Sequence, residues 1–130
     1  MHIHRRTLSA ILVGFCGLSF IPKVFAQGKT VEVTMRHGAK SQFDPETVTI
    51  AAGDSVKWTN SGYITHSVTF DPKMASKPGA VVLPSGVAPF DSGDIEEDGT
   101  FTHIFSVKGT YKYVCKFHEA MGMVGTIIVT

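Results

Sequence analysis

Phe43-Asp-Pro-Glu-Thr-Val-Thr-Ile-Ala-Ala-Gly-Asp-Ser-Val-Lys-Trp-Thr-Asn60 is the stretch that decides the fold class. Val48 and Ile50, then Val56 and Trp58, alternate with polar residues, and Ala-Ala-Gly-Asp separates the two runs. A period of two is the mark of a half-buried strand. The alternation continues outward in Val31/Val33/Met35, His66/Val68/Phe70, Phe101/His103/Phe105 and Ile127/Val129. Gly-Asp, Pro-Gly, Asp-Gly and Lys-Gly punctuate these runs. No segment sustains a helical period. Many short strands with turn signals predict an all-β, two-sheet antiparallel sandwich. Residues 71–98 read as irregular and loop-rich, and neither a repeat nor a second domain is visible.

The chemistry lies at the C-terminal end, Cys115-Lys-Phe-His118-Glu-Ala-Met-Gly-Met123-Val-Gly-Thr-Ile-Ile-Val-Thr130. A thiolate, an imidazole and a thioether read C-x2-H-x4-M. Soft sulfur with imidazole selects copper or zinc over hard cations, and a His2Cys plane with a weak axial Met is the ligand set of a blue-copper electron-transfer centre. His66, in Tyr63-Ile-Thr-His66-Ser-Val-Thr-Phe70, is the candidate second imidazole, arriving from another strand. Taken singly, each residue has a plainer reading: Cys as a small hydrophobe, Met as a core filler, His as packing. Spacing from the cysteine permits either Met121 or Met123 as the axial sulfur.

Beyond these residues the chain resembles the plastocyanin/pseudoazurin/amicyanin branch of the cupredoxins. The resemblance is carried by Phe43–Asn60, Thr65-His-Ser-Val-Thr-Phe-Asp71, Gly99-Thr-Phe101, Gly109-Thr-Tyr-Lys-Tyr113 and the Cys115 loop, in that order. It covers nearly everything after residue 30. It implies a Greek-key topology of about eight strands and one copper per chain, cycling between Cu(I) and Cu(II). It implies His66, Cys115, His118 and Met123 as ligands, because Met123-Val-Gly125 fits the family's frame after the ligand Met, whereas Met121-Gly-Met-Val does not. It also implies that His118 reaches the surface within an apolar patch, for which Phe117, Ala120, Met121 and Ile64 are the candidates. A hydrogen bond beyond the ligands is expected to orient the deeper His66 ring. His103 reads as structural, and His37 as a solvated turn residue. Two departures from plastocyanins stand out. Val114 replaces the Tyr that precedes the ligand Cys, and Thr65 and Phe117 replace prolines before each ligand His. The loss of that Tyr points to a bacterial periplasmic carrier rather than a photosynthetic one.

The N-terminus supports export. Arg5 and Arg6 precede the apolar run Leu8–Ile21, and Val24-Phe-Ala26 offers small residues for a signal peptidase. That run is too short to span a membrane, and the twin arginine leaves the export route open. Residues 1–26 are thus expected to be a cleaved signal, carrying off His2, His4 and Cys16. Residues 27–130 then form a single copper-binding domain of 104 residues. Its lone cysteine, Cys115, makes no internal disulfide.

Loss of Arg5, Arg6 and Lys23 leaves nine basic against eleven acidic residues, a net charge of −2. Without a basic stripe to neutralise phosphates, a nucleic-acid partner is not expected. Asp91, Asp94, Glu96, Glu97 and Asp98 form an acidic cluster, read either as a solvated turn or as a docking patch for a positively charged redox partner. The expected partners are a cytochrome, dehydrogenase, reductase or oxidase that docks transiently near His118, with the protein itself a monomer. An enzyme is not expected. A multicopper oxidase needs His-Cys-His runs, and a dinuclear copper site needs two loop cysteines; both are missing from this sequence. The competing reading is a periplasmic copper chaperone, storage or resistance protein on the same fold, although no Met-rich tract accompanies it.

Overall fold

The computed structural model describes residues 28–130, together with Gly14 and residues 17–21. The cleavage site, Cys16, His2, His4 and most of the expected signal lie outside the described residues. Nine strands carry the fold: β1 (Thr30–Arg36), β2 (Gln42–Asp44), β3 (Thr47–Ile50), β4 (Ser55–Asn60), β5 (Thr69–Phe70), β6 (Phe90–Asp91), β7 (Thr100–Ile104), β8 (Gly109–Val114) and β9 (Val124–Val129). Two single 3₁₀ turns, Pro72–Met74 and Glu119–Met121, are the helical elements among the described residues.

The sequence alternation becomes burial. Val33 and Met35, Val48 and Ile50, Val56 and Trp58, and Ile127 and Val129 all face the interior. One sheet has the order β2-β1-β4-β7 and the other β3-β9-β8-β5-β6. The sheets are mixed rather than wholly antiparallel: β1 pairs parallel with β4, and β3 parallel with β9. The cause is a change of layer. After β2 the chain passes through Pro45 and Glu46 into the opposite sheet to form β3, then returns through the Gly53-Asp54 turn. That excursion is the crossover a parallel neighbour requires. The 71–98 segment is irregular as expected, touching the sheets through β6 and the bridges His66↔Ile95 and Val82↔Lys112.

Trp58 sits in the centre of the core, fully buried, and its indole N–H donates to Tyr113 Oη at 3.0 Å. This bond joins the two sheets. Phe70 stacks on Tyr113 at 4.7 Å between centroids, and Phe43 tilts against the same ring at 4.6 Å. At Gly125 a Cβ would land on the Tyr113 ring, so the absent side chain is what lets β9 lie against it.

Candidate metal centre

Alternation along β8 puts Tyr111, Tyr113 and Cys115 on one buried face, so the strand delivers the thiol into the interior just past its last residue. The chain then doubles back. His118 N–H donates to Cys115 O at 3.1 Å, Met123 N–H to His118 O at 3.1 Å, and Cys115 N–H to Met123 O at 3.0 Å. Gly122 takes the left-handed conformation, φ +82°, that this reversal requires. The loop is thereby closed on itself, with both ends fixed by β8 and β9.

The second histidine arrives from the other side. Asn60, fully buried at the end of β4, donates through Nδ2 to Ile64 O at 2.7 Å and Ile95 O at 2.9 Å, and accepts from Gly62 N–H at 3.0 Å. It shapes the 60–65 turn that leads into His66. His66 then bridges Ile95, through N–H to O at 3.1 Å and the reciprocal bond at 2.8 Å. The Asn60-Ser-Gly62 turn signal was present in the sequence, but not the partners it reaches.

These elements bring three of the four expected site residues together. Cys115 Sγ lies 3.5 Å from His118 Nδ1 and 3.8 Å from His66 Nδ1, and the three donor atoms all lie within 4.8 Å of one another. A metal about 2.0–2.3 Å from each sulfur and nitrogen donor, at trigonal-to-tetrahedral angles, needs donors about 3.5–3.8 Å apart. The spacing fits one ion. Cys115 and His66 are fully buried, and His118 is partly exposed. Burial, then the neighbouring His118 and His37, pushes the His66 pKa down to about 4; burial and His37 also lower that of His118. Both shifts favour the neutral ring, the state in which imidazole can ligate. Of the two candidate thioethers, Met123 is wholly buried and Met121 is 56% exposed.

One expectation fails. Among the described residues, His66 Nε2 is buried with no hydrogen-bond partner. What is fixed at this position is the backbone, through the reciprocal bridge to Ile95 from which the ring projects. Of the expected surface patch, Phe117, Ala120 and Met121 are exposed and Ile64 is half-buried. His103 packs as a structural residue, stacked on Phe90 at 3.9 Å. His37 is exposed, with Ser41 Oγ 3.2 Å from its Nδ1 and Tyr63 edge-on to its ring.

A residue the sequence did not flag is Glu119. It is buried, and its carboxylate accepts from Ser76 N–H at 2.6 Å and Lys77 N–H at 3.0 Å. Burial raises its pKa, but these bonds and the Lys77 charge outweigh that and hold it below the usual carboxylate value. It clamps the ligand loop to the segment after the first 3₁₀ turn. The donor set, its spacing and its burial together suit a soft or borderline metal.

Residues 29–130 match the family described as "Copper binding proteins, plastocyanin/azurin family". The chain belongs to the plastocyanin/azurin family of copper-binding proteins. Chloroplastic plastocyanin of Tetradesmus obliquus is 41% identical over 91 residues, which is 67% of this chain and 57% of that relative. The chain thus spans little more than half of that protein. Plastocyanin of Scenedesmus fuscus is 34% identical over 105 residues, 75% of this chain and 99% of the relative. Among solved structures, oxidised plastocyanin from Dryopteris crassirhizoma superposes with a TM-score of 0.60 at 29% identity, covering 77% of this chain and 100% of its own. A pseudoazurin from Sinorhizobium, with a TM-score of 0.60 at 24% identity over 78% of this chain and 74% of its own, has the same fold. Copper is accordingly the metal of this cupredoxin.

Proposed function

We propose that this plastocyanin/azurin-family protein is a mononuclear type 1 copper carrier of single electrons, with His66, Cys115, His118 and Met123 as its ligands. The observation that carries the reading is the convergence of the Cys115, His66 and His118 donors on one metal-sized gap. Bound copper supplies a one-electron Cu(I)/Cu(II) couple and the intense colour of a thiolate charge-transfer band. Everything else is the work of the chain. Cys115 offers its thiolate while accepting the Ser67 N–H at 3.4 Å. His66 closes the interior side against water. Met123, wholly buried, would offer the weaker fourth donor, a thioether sulfur.

The loop is tied at Cys115, His118, Glu119 and Met123, so the donors have little room to rearrange when the charge changes. A rigid donor set keeps the reorganisation that accompanies electron transfer small. His118, partly exposed beside Phe117, Ala120 and Met121, forms the port at which a cytochrome, dehydrogenase, reductase or oxidase docks briefly. With the signal-like N-terminus, this fits an exported, periplasmic protein, cleaved after Ala26 and working as a monomer.

Copper added to the purified protein should give an intense blue colour that a mild reductant bleaches reversibly, at one copper per chain. Cys115→Ser should abolish the colour even where some metal still binds. A colourless complex, or tight Cu(I) binding without a reversible couple, would favour the chaperone or storage reading instead.

A further inference from the structure

The acidic run 91–98 begins with a residue that is turned inward. Asp91 lies in β6, in register with Thr69 of β5. Thr69 Oγ1 is 2.6 Å from Asp91 Oδ1 and 2.9 Å from Ser67 Oγ. Ser67 Oγ accepts the Lys116 amide at 2.9 Å, and the Ser67 amide points at Cys115 Sγ from 3.4 Å. Ser67 and Thr69 are both fully buried.

The direction of every proton follows from one charge. A carboxylate has no proton to give, so Thr69 donates to Asp91. Thr69 oxygen can then only accept from Ser67, which commits the Ser67 proton and leaves its lone pairs for Lys116 N–H. Asp91 itself is fixed at its far oxygen by Gly93 N–H at 2.9 Å, in a turn where Gly93 has φ +74°. The chain runs from a surface-side anion to the two amides flanking the sulfur environment.

We infer that Ser67, Thr69 and Asp91 form a positioning relay for Cys115, holding the Ser67 N–H on the sulfur and the peptide that follows it. This rests on Cys115 being the sulfur ligand. Hydrogen bonds at a metal-bound sulfur tune the potential of such centres. An N–H dipole aimed at sulfur favours the more electron-rich, reduced centre, so loosening it lowers the potential. The neighbouring acids are engaged as well: Asp94 pairs with Lys116 at 2.8 Å, and Glu96 accepts from Thr65 Oγ1 at 2.8 Å. Asp91 therefore serves the site from inside, not as part of a free docking face.

Thr69→Val breaks both hydroxyl links without changing charge, and Thr69→Ser restores them. In the metal-free protein, amide hydrogen exchange at Ser67 and Lys116 should quicken about tenfold in Thr69→Val, as expected for buried amides whose bonds are no longer held in place, while Ile127 in β9 stays unchanged. In the copper-loaded protein the potential should fall and the blue band shift, with Thr69→Ser returning both. If Thr69→Val does not fold, Asp91→Asn should still quicken the same two amides. Unchanged exchange at both amides, a uniform rise across the sheet, or an unaltered potential in Thr69→Val overturns the relay. A wild-type protein with no blue band would overturn the copper reading instead, and the metal-free exchange would still decide the relay.

Discussion

At the scale of single residues, the choice between two sulfurs is the sharpest test of the site. Met121 and Met123 are two positions apart across Gly122, and the backbone sends them to opposite environments: Met121 is 56% exposed and Met123 wholly buried. Met123 is also bonded through its backbone to both Cys115 and His118. A thioether is a weak axial ligand that tunes the centre without holding it in place. Met123→Gln should therefore shift the absorption spectrum and the potential markedly while copper still binds, and Met121→Gln should leave both nearly unchanged. The opposite ranking, read by spectroscopy and potentiometry, would assign the axial role to Met121. Residue type and spacing pointed to His66, Cys115 and His118, which the fold brings together, because they carry donor chemistry directly; between the two thioethers spacing did not choose. The empty Nε2 of His66 was not legible in the sequence, nor was the Glu119 clamp. Both depend on which backbone groups fall beside a side chain, and Glu119 meets Ser76 and Lys77 only across 42–43 residues of chain.

At the scale of elements, strand identity was readable and strand partnership was not. Alternation in Val48/Ile50 and Val56/Trp58 marks two strands correctly, but nothing in that period says that β3 and β4 belong to different sheets. β5 and β6 are two residues each, too short to show any period. The acidic run also reads differently once β6 is paired with β5, because Asp91 then meets Thr69 inside the sheet edge. Between β8 and β9 the packing leaves no room for a side chain at residue 125. Gly125 faces Tyr113, whose ring is locked by the Trp58 hydrogen bond from the other sheet and by Phe70 stacking, so it cannot swing away. Gly125→Ala should thus cost about 1–3 kcal/mol, as overpacking of a rigid core does. Thermal unfolding followed by circular dichroism should show a melting point lower by about 4–8 °C per kcal/mol for a domain of this size. An unchanged melting point would mean that the β8–β9 spacing is softer than the packing indicates.

At the scale of the whole molecule, the sandwich is fastened at the donor-cluster end and along one edge. The 60–66, 91–96 and 115–123 segments gather at one end around the donor cluster. The edge strands β6 and β7, one from each sheet, are joined along the side by an aromatic seam. There His103 stacks on Phe90 at 3.9 Å, Phe90 stacks on Phe70 at 4.5 Å, and Phe105 meets the His103 ring edge-on at 4.9 Å. Burial in this seam lowers the His103 pKa below 6.5, since the charged ring would lose its hydration there. The sign follows from linkage: with the folded pKa depressed, the unfolded chain binds more protons in the window just below pH 6.5, so stability falls as pH drops through it and is fully present above it. Wild type and His103→Gln should be compared in the copper-loaded form, so that the ligand histidines stay neutral in both. Urea unfolding midpoints should decline for wild type as pH falls from about 7 toward 5, spanning the ordinary imidazole value, and decline less for His103→Gln. Parallel curves for the two proteins would show that the seam carries no proton-linked stability and that the acid sensitivity of this fold lies elsewhere.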